Sequence, residues 1–246
     1  MRRLVKMTIL FLLGVFIVPG LISMAWWEVQ DRPRRWNQAN WRSAGILPKV
    51  PARDEAGVWL MSARTGGLKG ALADHSWIVL KSPGRTDYDR YDVVGWGPPL
   101  RKNGYDADAR WYSNEPRIIS HVRGKEAAAL IPKIEAAIAA YRWSKRGDYG
   151  IWPGPNSNTF VASIVRAVPE WHAATPPRAV GRDYPADGRW VGKTNAGDFY
   201  ATLGGYAGVT AGRTVGFEIN FLTLVAGVNP WRGEVKVPAF GAFRLG

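Results

Sequence analysis

Apolar residues run from Thr8 to Trp27, about twenty positions with no charge among them, the length a helix needs to cross a hydrocarbon core. The run is apolar all round and lacks the polar face of a helix packed on a soluble core. Trp26 and Trp27 close it as an aromatic belt would at a membrane–water interface. Arg2, Arg3 and Lys6 precede it. The pattern predicts a signal anchor over residues 1–27. A cleaved signal peptide is the competing reading. Ser23-Met24-Ala25 offers small residues where a signal peptidase reads them, and Pro19-Gly20 could break the helix ahead of them. The charge-free length favours the anchor. Arg32, Arg34, Arg35 and Arg42 follow closely, so flanking charge does not set the orientation, but a large C-terminal domain is usually translocated regardless. The expected location is the inner (cytoplasmic) membrane, single pass, with the domain on the periplasmic, extracytoplasmic side.

Residues 28–57 read as a tether: polar, with Trp36 and Trp41, ending in Pro48 and Pro51, and without a sustained period. An α+β domain is expected over 58–195. Val58-Trp59-Leu60-Met61 is a short apolar strand and Thr65-Gly66-Gly67 a turn. Ser76–Lys81 is apolar at consecutive positions, as a central strand is. Pro83-Gly84 ends it, and Tyr91–Trp96 is its hairpin partner. Ala127, Leu130, Ile131, Ile134, Ile138 and Tyr141 follow the spacing of one buried helical stripe, with a kink or fresh start expected at Pro132. Phe160, Val161, Ile164, Val165 and Val168 form a second stripe, stopped by Pro169. Between the helices, Tyr149–Pro155 is expected as a short strand. Residues 196–246 read as a Gly-rich β meander packed on the same domain. There Val215, Phe217, Ile219 and Phe221 alternate with Gly216, Glu218 and Asn220, and Glu234–Val237 is the last strand.

Composition narrows the partners. At 46% hydrophobic and 22% charged, the 246-residue chain is too apolar for disorder. The formal charge is +13, of which three units lie in Met1–Lys6, leaving +10 on the rest. Such an excess favours anionic surfaces. The cations are scattered, and no helix-turn-helix, zinc-finger or RNA-binding aromatic signature is present. With an apolar N-terminus, the expected partners are anionic membrane lipid and a cell-wall or envelope protein, not nucleic acid. The absence of cysteine excludes disulfides, thiolate metal sites and thiol catalysis. Three histidines in unrelated segments make no zinc motif. The glycines of Gly204–Gly212 sit among strand signals, so no phosphate loop, metal or cofactor is expected.

Candidate chemistry gathers at Gly154-Pro155-Asn156-Ser157-Asn158-Thr159. Asn156 or Asn158 caps a helix, and Ser157 stands at or just before its first turn. There unpaired N–H groups and the helix dipole favour negative charge. An ordinary helix start has the same composition, so the run is not diagnostic alone. His75 heads the Ser76–Lys81 strand, where it reads either as a satisfied structural histidine or as a general base. Asp92, on the hairpin partner, either orients that imidazole or is a solvated strand residue. His121 and His172 read as structural or solvated. Asn156, Asn158, Trp77 and Trp152 are candidate substrate-binding residues, although Trp77, Trp96 and Trp152 each lie in an apolar segment and read first as core.

The run Asn156-Ser157-Asn158-Thr159-Phe160-Val161 resembles the Asn-Cys-Asn-His-Phe type of motif of circularly permuted papain-like enzymes, among them desumoylating isopeptidases and the lecithin retinol acyltransferase group. In those a His on an early strand precedes a nucleophile that begins a later helix, the order of His75 and Ser157 here. The departure is Ser157 at the Cys position, and a hydroxyl needs a general base more than a thiol does. A second likeness spans most of the chain. Ser43–Pro48, Ala63–Lys81, Tyr91–Gly97 and Trp152–Val161 resemble a family of bacterial membrane proteins, the domain of unknown function numbered 3750. That resemblance implies a membrane location and carries no established activity. The expected fold is therefore α+β: a small antiparallel sheet with two helices in permuted papain-like order, a C-terminal β meander and one N-terminal transmembrane helix. Two functions follow. One is a hydrolase or acyltransferase on amide or ester bonds, with Ser157 as nucleophile, His75 as base and backbone N–H groups near Asn158 as oxyanion donors. The other is a non-catalytic relative binding an anionic lipid, cell-wall component or envelope protein in the same groove.

Overall fold

Residues Arg2–Glu28 form one helix, long and apolar enough to cross a membrane. It comprises α1 (Arg2–Leu12), a π-helical turn (Leu13–Ile17) and α2 (Val18–Glu28). Pro19-Gly20 does not break it. The π-helical turn just ahead of Pro19 absorbs the position that cannot donate a hydrogen bond. Gly20 faces Leu224 and Leu72. The computed structural model describes residues 1–49, 52–194 and 196–246; Pro51 of the expected tether and the expected boundary residue 195 lie outside the described residues.

The helix is packed on the domain. Phe16 is fully buried and Trp27 nearly so. Ser23 Oγ donates to the Ala71 carbonyl at 2.6 Å and Trp27 Nε1 to the Gly67 carbonyl at 2.8 Å. Cleavage after Ala25 would strip the Phe16 and Ser23 contacts, so mass spectrometry of the membrane-extracted protein is expected to find an N-terminus upstream of Thr8. A mature chain beginning at Trp26 would refute this. The polar segment that follows is also fastened down: the buried Asp108 carboxylate accepts from the Ile46 and Leu47 N–H groups (2.8 and 3.0 Å) and from Ser43 Oγ.

Five antiparallel strands build the first sheet: β1 (Gly57–Arg64), β2 (Asp74–Lys81), β3 (Asp89–Val93), β4 (Leu100–Lys102) and β5 (Arg117–Arg123), in the order β4-β3-β2-β1-β5. β2 is buried at every position, as an unbroken apolar run requires of a strand covered on both faces. Leu60 stands opposite Ile78, and Met61 opposite Trp77. One face therefore carries Val58, Leu60, Ile78 and Leu80, and the other Trp59, Met61, Trp77 and Val79. Helices α3 (Gly124–Ala139) and α4 (Ser157–Ala167) cover the first face through Ala127, Leu130, Ile134, Phe160, Val161 and Ile164. α3 runs through Pro132 unbroken. Tyr149–Pro155 is not a strand but a loop, closed by a Gly150 N–H to Pro155 carbonyl bond of 2.7 Å.

The expected meander is present and one strand longer than its last expected member. β6 (Val191–Lys193), β7 (Phe199–Leu203), β8 (Ala207–Gly212), β9 (Gly216–Phe221), β10 (Leu224–Asn229), β11 (Glu234–Val237) and β12 (Gly241–Arg244) follow one another in sequential antiparallel order. The sense of its faces is the reverse of a soluble sheet's. Across the register Ala201 meets Val209, Val209 meets Ile219 and Ile219 meets Ala226. Phe217 meets Val228, Val228 meets Val235, and Val235 meets Phe243. This apolar row faces outward, with Val209, Phe217, Ile219, Val228 and Phe243 exposed. Thr202, Glu218, Asn220, Asn229 and Lys236 face inward and are buried. Glu218 there accepts from Arg182 and, at 2.5 Å, from Lys236 Nζ. Arg178 ties the two sheets together. Its guanidinium bonds Asp74 Oδ1 (2.9 Å), the Gly70 and Ala71 carbonyls (3.0 and 3.3 Å) and the Ala239 carbonyl.

Candidate functional site

Arg90 of β3 pairs with Val79 of β2, so alternation puts His75, Trp77, Arg90 and Asp92 on one face of the sheet. All four are buried. His75 Nε2 lies 3.3 Å from Asp92 Oδ2, which also accepts from Arg90 Nη2 at 2.9 Å. Asp92 is thus not the solvated strand residue it could have been; it is the carboxylate between an imidazole and a guanidinium. Trp111 stacks on the imidazole at 3.6 Å and 3°, and the Arg90 guanidinium lies 4.1 Å above Trp77. Burial pushes the His75 pKa down, with Asp92 opposing, so the ring is neutral at pH 7. Burial alone would raise Asp92, but Arg90 and His75 outweigh it and hold the carboxyl below its ordinary value. With Nε2 turned to Asp92, Nδ1 has no hydrogen-bond partner among the described residues.

Asn156, not Asn158, is the cap of α4. Its Oδ1 accepts from the Asn158 and Thr159 N–H groups at 2.9 and 3.1 Å, and its Nδ2 donates to the Ile151 and Val180 carbonyls. Asn158 spends its Nδ2 on the Asp74 and Val180 carbonyls, both at 2.8 Å. That bond ties the start of α4 to the residue before His75. The capping narrows the expected oxyanion donors near Asn158. The Asn158 N–H is taken, and Ser157 keeps the first-turn N–H that is unpaired among the described residues.

His75 and Ser157 line one cavity of about 450 Å³ with Tyr149, Asn156 and Asn158. The opposite wall is apolar and includes Phe16, Ile17, Leu21 and Met24 of the N-terminal helix and Leu222 and Leu224 of the meander. The imidazole and the hydroxyl are not hydrogen-bonded to each other. Tyr149 lines the same cavity. Burial raises its phenol to about 12, the Asp92 charge adds to the rise, and a hydrogen bond from Ser157 opposes it. At neutral pH it is an O–H donor beside Ser157.

Residues 55–184 match the family described as "Protein of unknown function (DUF3750)", just over half of the chain. The chain belongs to the DUF3750 family. No curated protein and no solved structure matches it. The DUF3750 stretch holds β1–β5, α3 and α4, and with them His75, Asp92, Tyr149 and Ser157. The helix and meander that supply the apolar wall lie outside it.

Not every tryptophan expected in the DUF3750 core is there. Trp77 is fully buried beneath Arg90 and bonds the Ala107 carbonyl, so it is core and does not line the cavity. Trp96 and Trp152 are about half exposed, because Trp96 follows the end of β3 and Trp152 sits on the Tyr149–Pro155 loop. Trp152 lines the cavity and reaches Thr223 Oγ1 at 3.0 Å. His121 stacks on Trp59 and His172 is exposed; neither enters the site. Trp111 and Tyr149 were missed by sequence reasoning. No local pattern marks either, since each is brought to His75 or Ser157 only by a long loop.

Proposed function

We propose that this DUF3750 protein is a serine hydrolase or acyltransferase acting on an ester or amide at a membrane. The single observation that carries the reading is the buried His75–Asp92 pair, whose histidine lines the cavity that also holds Ser157. Asp92 fixes the tautomer with the proton on Nε2. In the proposed reaction the Ser157 hydroxyl attacks an acyl carbonyl and its proton passes to His75 Nδ1. The carbon–oxygen or carbon–nitrogen bond to the leaving group breaks, and that group takes the proton from His75. Water, or another alcohol or amine, then resolves the acyl-Ser157 ester. The Ser157 N–H and the Tyr149 phenol are the candidate donors to the tetrahedral oxyanion, each worth on the order of 10²–10³ in rate. The order of His75 and Ser157 along the chain fits the permuted papain-like likeness. The apolar wall favours a substrate with a hydrocarbon portion.

A second reading, a non-catalytic binding groove, is favoured by the missing His75–Ser157 bond. Catalytic hydrogen bonds commonly tighten only with substrate present, so we rank the enzyme first. A fluorophosphonate probe separates the two. The intact chain in detergent is expected to be labelled at Ser157, with labelling abolished in Ser157→Ala and reduced by orders of magnitude in His75→Ala. Absence of labelling in the folded wild type, or labelling that survives Ser157→Ala, would sink the enzyme and leave the binding groove.

A further inference from the structure

We infer that the outward apolar face of the β7–β12 sheet is seated in the membrane, against lipid hydrocarbon. This inference is independent of any catalysis. The face is contiguous: Val209, Phe217, Ile219 and Val228 adjoin one another across β8, β9 and β10 and are exposed. A sheet in water turns such a row inward and its polar row outward. Here the polar row is inside, and Arg182 and Lys236 both bond the Glu218 carboxylate there. A one-residue slip would exchange the two faces, and it would bury the apolar row only by exposing that ion network. The arrangement is therefore specified, and a large exposed apolar patch marks an interaction surface.

The N-terminal helix names the occupant. It packs on this very face, with Phe16 against Phe221 at 5.6 Å between rings and against Leu224. If Trp26 and Trp27 mark the interface, Phe16 lies three turns further in, about 16 Å along the axis. The sheet end at Phe221–Leu224 must then sit on the membrane side of Trp27. The opposite end of the sheet, one strand length away, carries Lys193, Arg213, Arg232 and Arg244 on its first strand, its turns and its last strand. Glu234, an acid at that end, is turned to Lys236 at 3.7 Å. Cations thus stand where anionic headgroups meet the rim. The two edge strands, β6 and β12, are only three and four residues long, so little unpaired backbone faces the bilayer.

The chain has no cysteine, so single-Cys variants take a nitroxide cleanly. We would place one at Val209, Phe217 or Val228 and a control at the exposed Lys125, in the full-length protein. Reconstitution is into phosphatidylethanolamine–phosphatidylglycerol vesicles at about one protein per vesicle. The face positions are expected to collide more with oxygen than with an aqueous nickel chelate, and Lys125 the reverse. Equal access of the chelate to all four would overturn the inference. So would protection that appears only when protein is crowded, since a second copy would then be the cover. Photolabelling of the unsubstituted chain with a diazirine phospholipid guards against misfolded variants: adducts should concentrate in β7–β10, and their absence there refutes the seating.

Discussion

Glu218→Ala is expected to destabilise the protein by about 3–5 kcal/mol, while Val209→Thr changes it by about 0.5 kcal/mol or less, both read from urea unfolding in a mild detergent. The Glu218 carboxylate is buried and faces two buried cations, Arg182 and Lys236. Removing one partner of such a set leaves uncompensated charge in a low dielectric, which costs that much. What remains, hydrogen bonds from Arg182 to the Thr175 carbonyl and from Lys236 to the Val215 carbonyl and the longer ion pairs Arg182–Asp183 (3.5 Å) and Lys236–Glu234 (3.7 Å), compensates the two cations less closely than Glu218 does. Val209 is about half exposed and opposite Ile219, so a hydroxyl there meets no closed core, and surface exchanges of this kind cost little. In a sheet with its apolar face inward the ranking would be inverted. A loss below about 1 kcal/mol for Glu218→Ala would show that the inner face is not sealed.

The second large effect lies at the imidazole. Asp92→Asn should slow fluorophosphonate labelling of Ser157 by on the order of 10⁴, because an amide no longer fixes the tautomer that leaves Nδ1 free. A readout that needs no activity accompanies it. With three histidines in the chain, His75 is resolvable by NMR, and its pKa is expected below the ordinary value of about 6.5. Asp92→Asn should lower it further, since the carboxylate is what raises it against burial. The consequence for stability has a definite direction. His75 is neutral in the fold, and the unfolded chain takes up a proton first as pH falls below about 6.5. Stability present above that pH is therefore lost as pH drops toward the folded pKa, and this contribution is flat beneath it. Asp92, also depressed, adds its own loss only in the acid range below about pH 4. A labelling rate that halves near pH 6.5 would contradict the burial of the imidazole.

Much of the first sheet was legible because its signal is local. Trp77-Ile78-Val79-Leu80 could only be a covered strand, and the stripe from Ala127 to Ile138 could only be one side of a helix. Asp92 was harder. Its environment depends on Arg90 two residues away on the same face and on a histidine across the sheet, and alternation alone does not say whether that face is wet. The meander shows the same limit more sharply. The period of Phe217, Ile219 and Phe221 against Glu218 and Asn220 is plain, but a period assigns residues to faces and not faces to solvents. Which side is buried is decided by Arg182 and Arg178, more than thirty residues upstream. Neither Pro19 nor Pro132 ends its helix: each removes a donor, yet packing on both helices outweighs that loss.

Arg178 has a mechanical consequence. The Ala71 carbonyl that it holds also receives Ser23 Oγ from the N-terminal helix, and Asp74, its carboxylate partner, is the neighbour of His75. Helix, turn, strand and meander thus share one pivot. Bilayers differ in thickness by several ångströms, and a spanning helix answers by tilting. Were this helix to tilt in a bilayer, the pull would fall on Ala71 and, through one guanidinium, on the base of the strand that carries the imidazole. If the helix spans a bilayer, thin and thick membranes would load the pocket differently through this pivot.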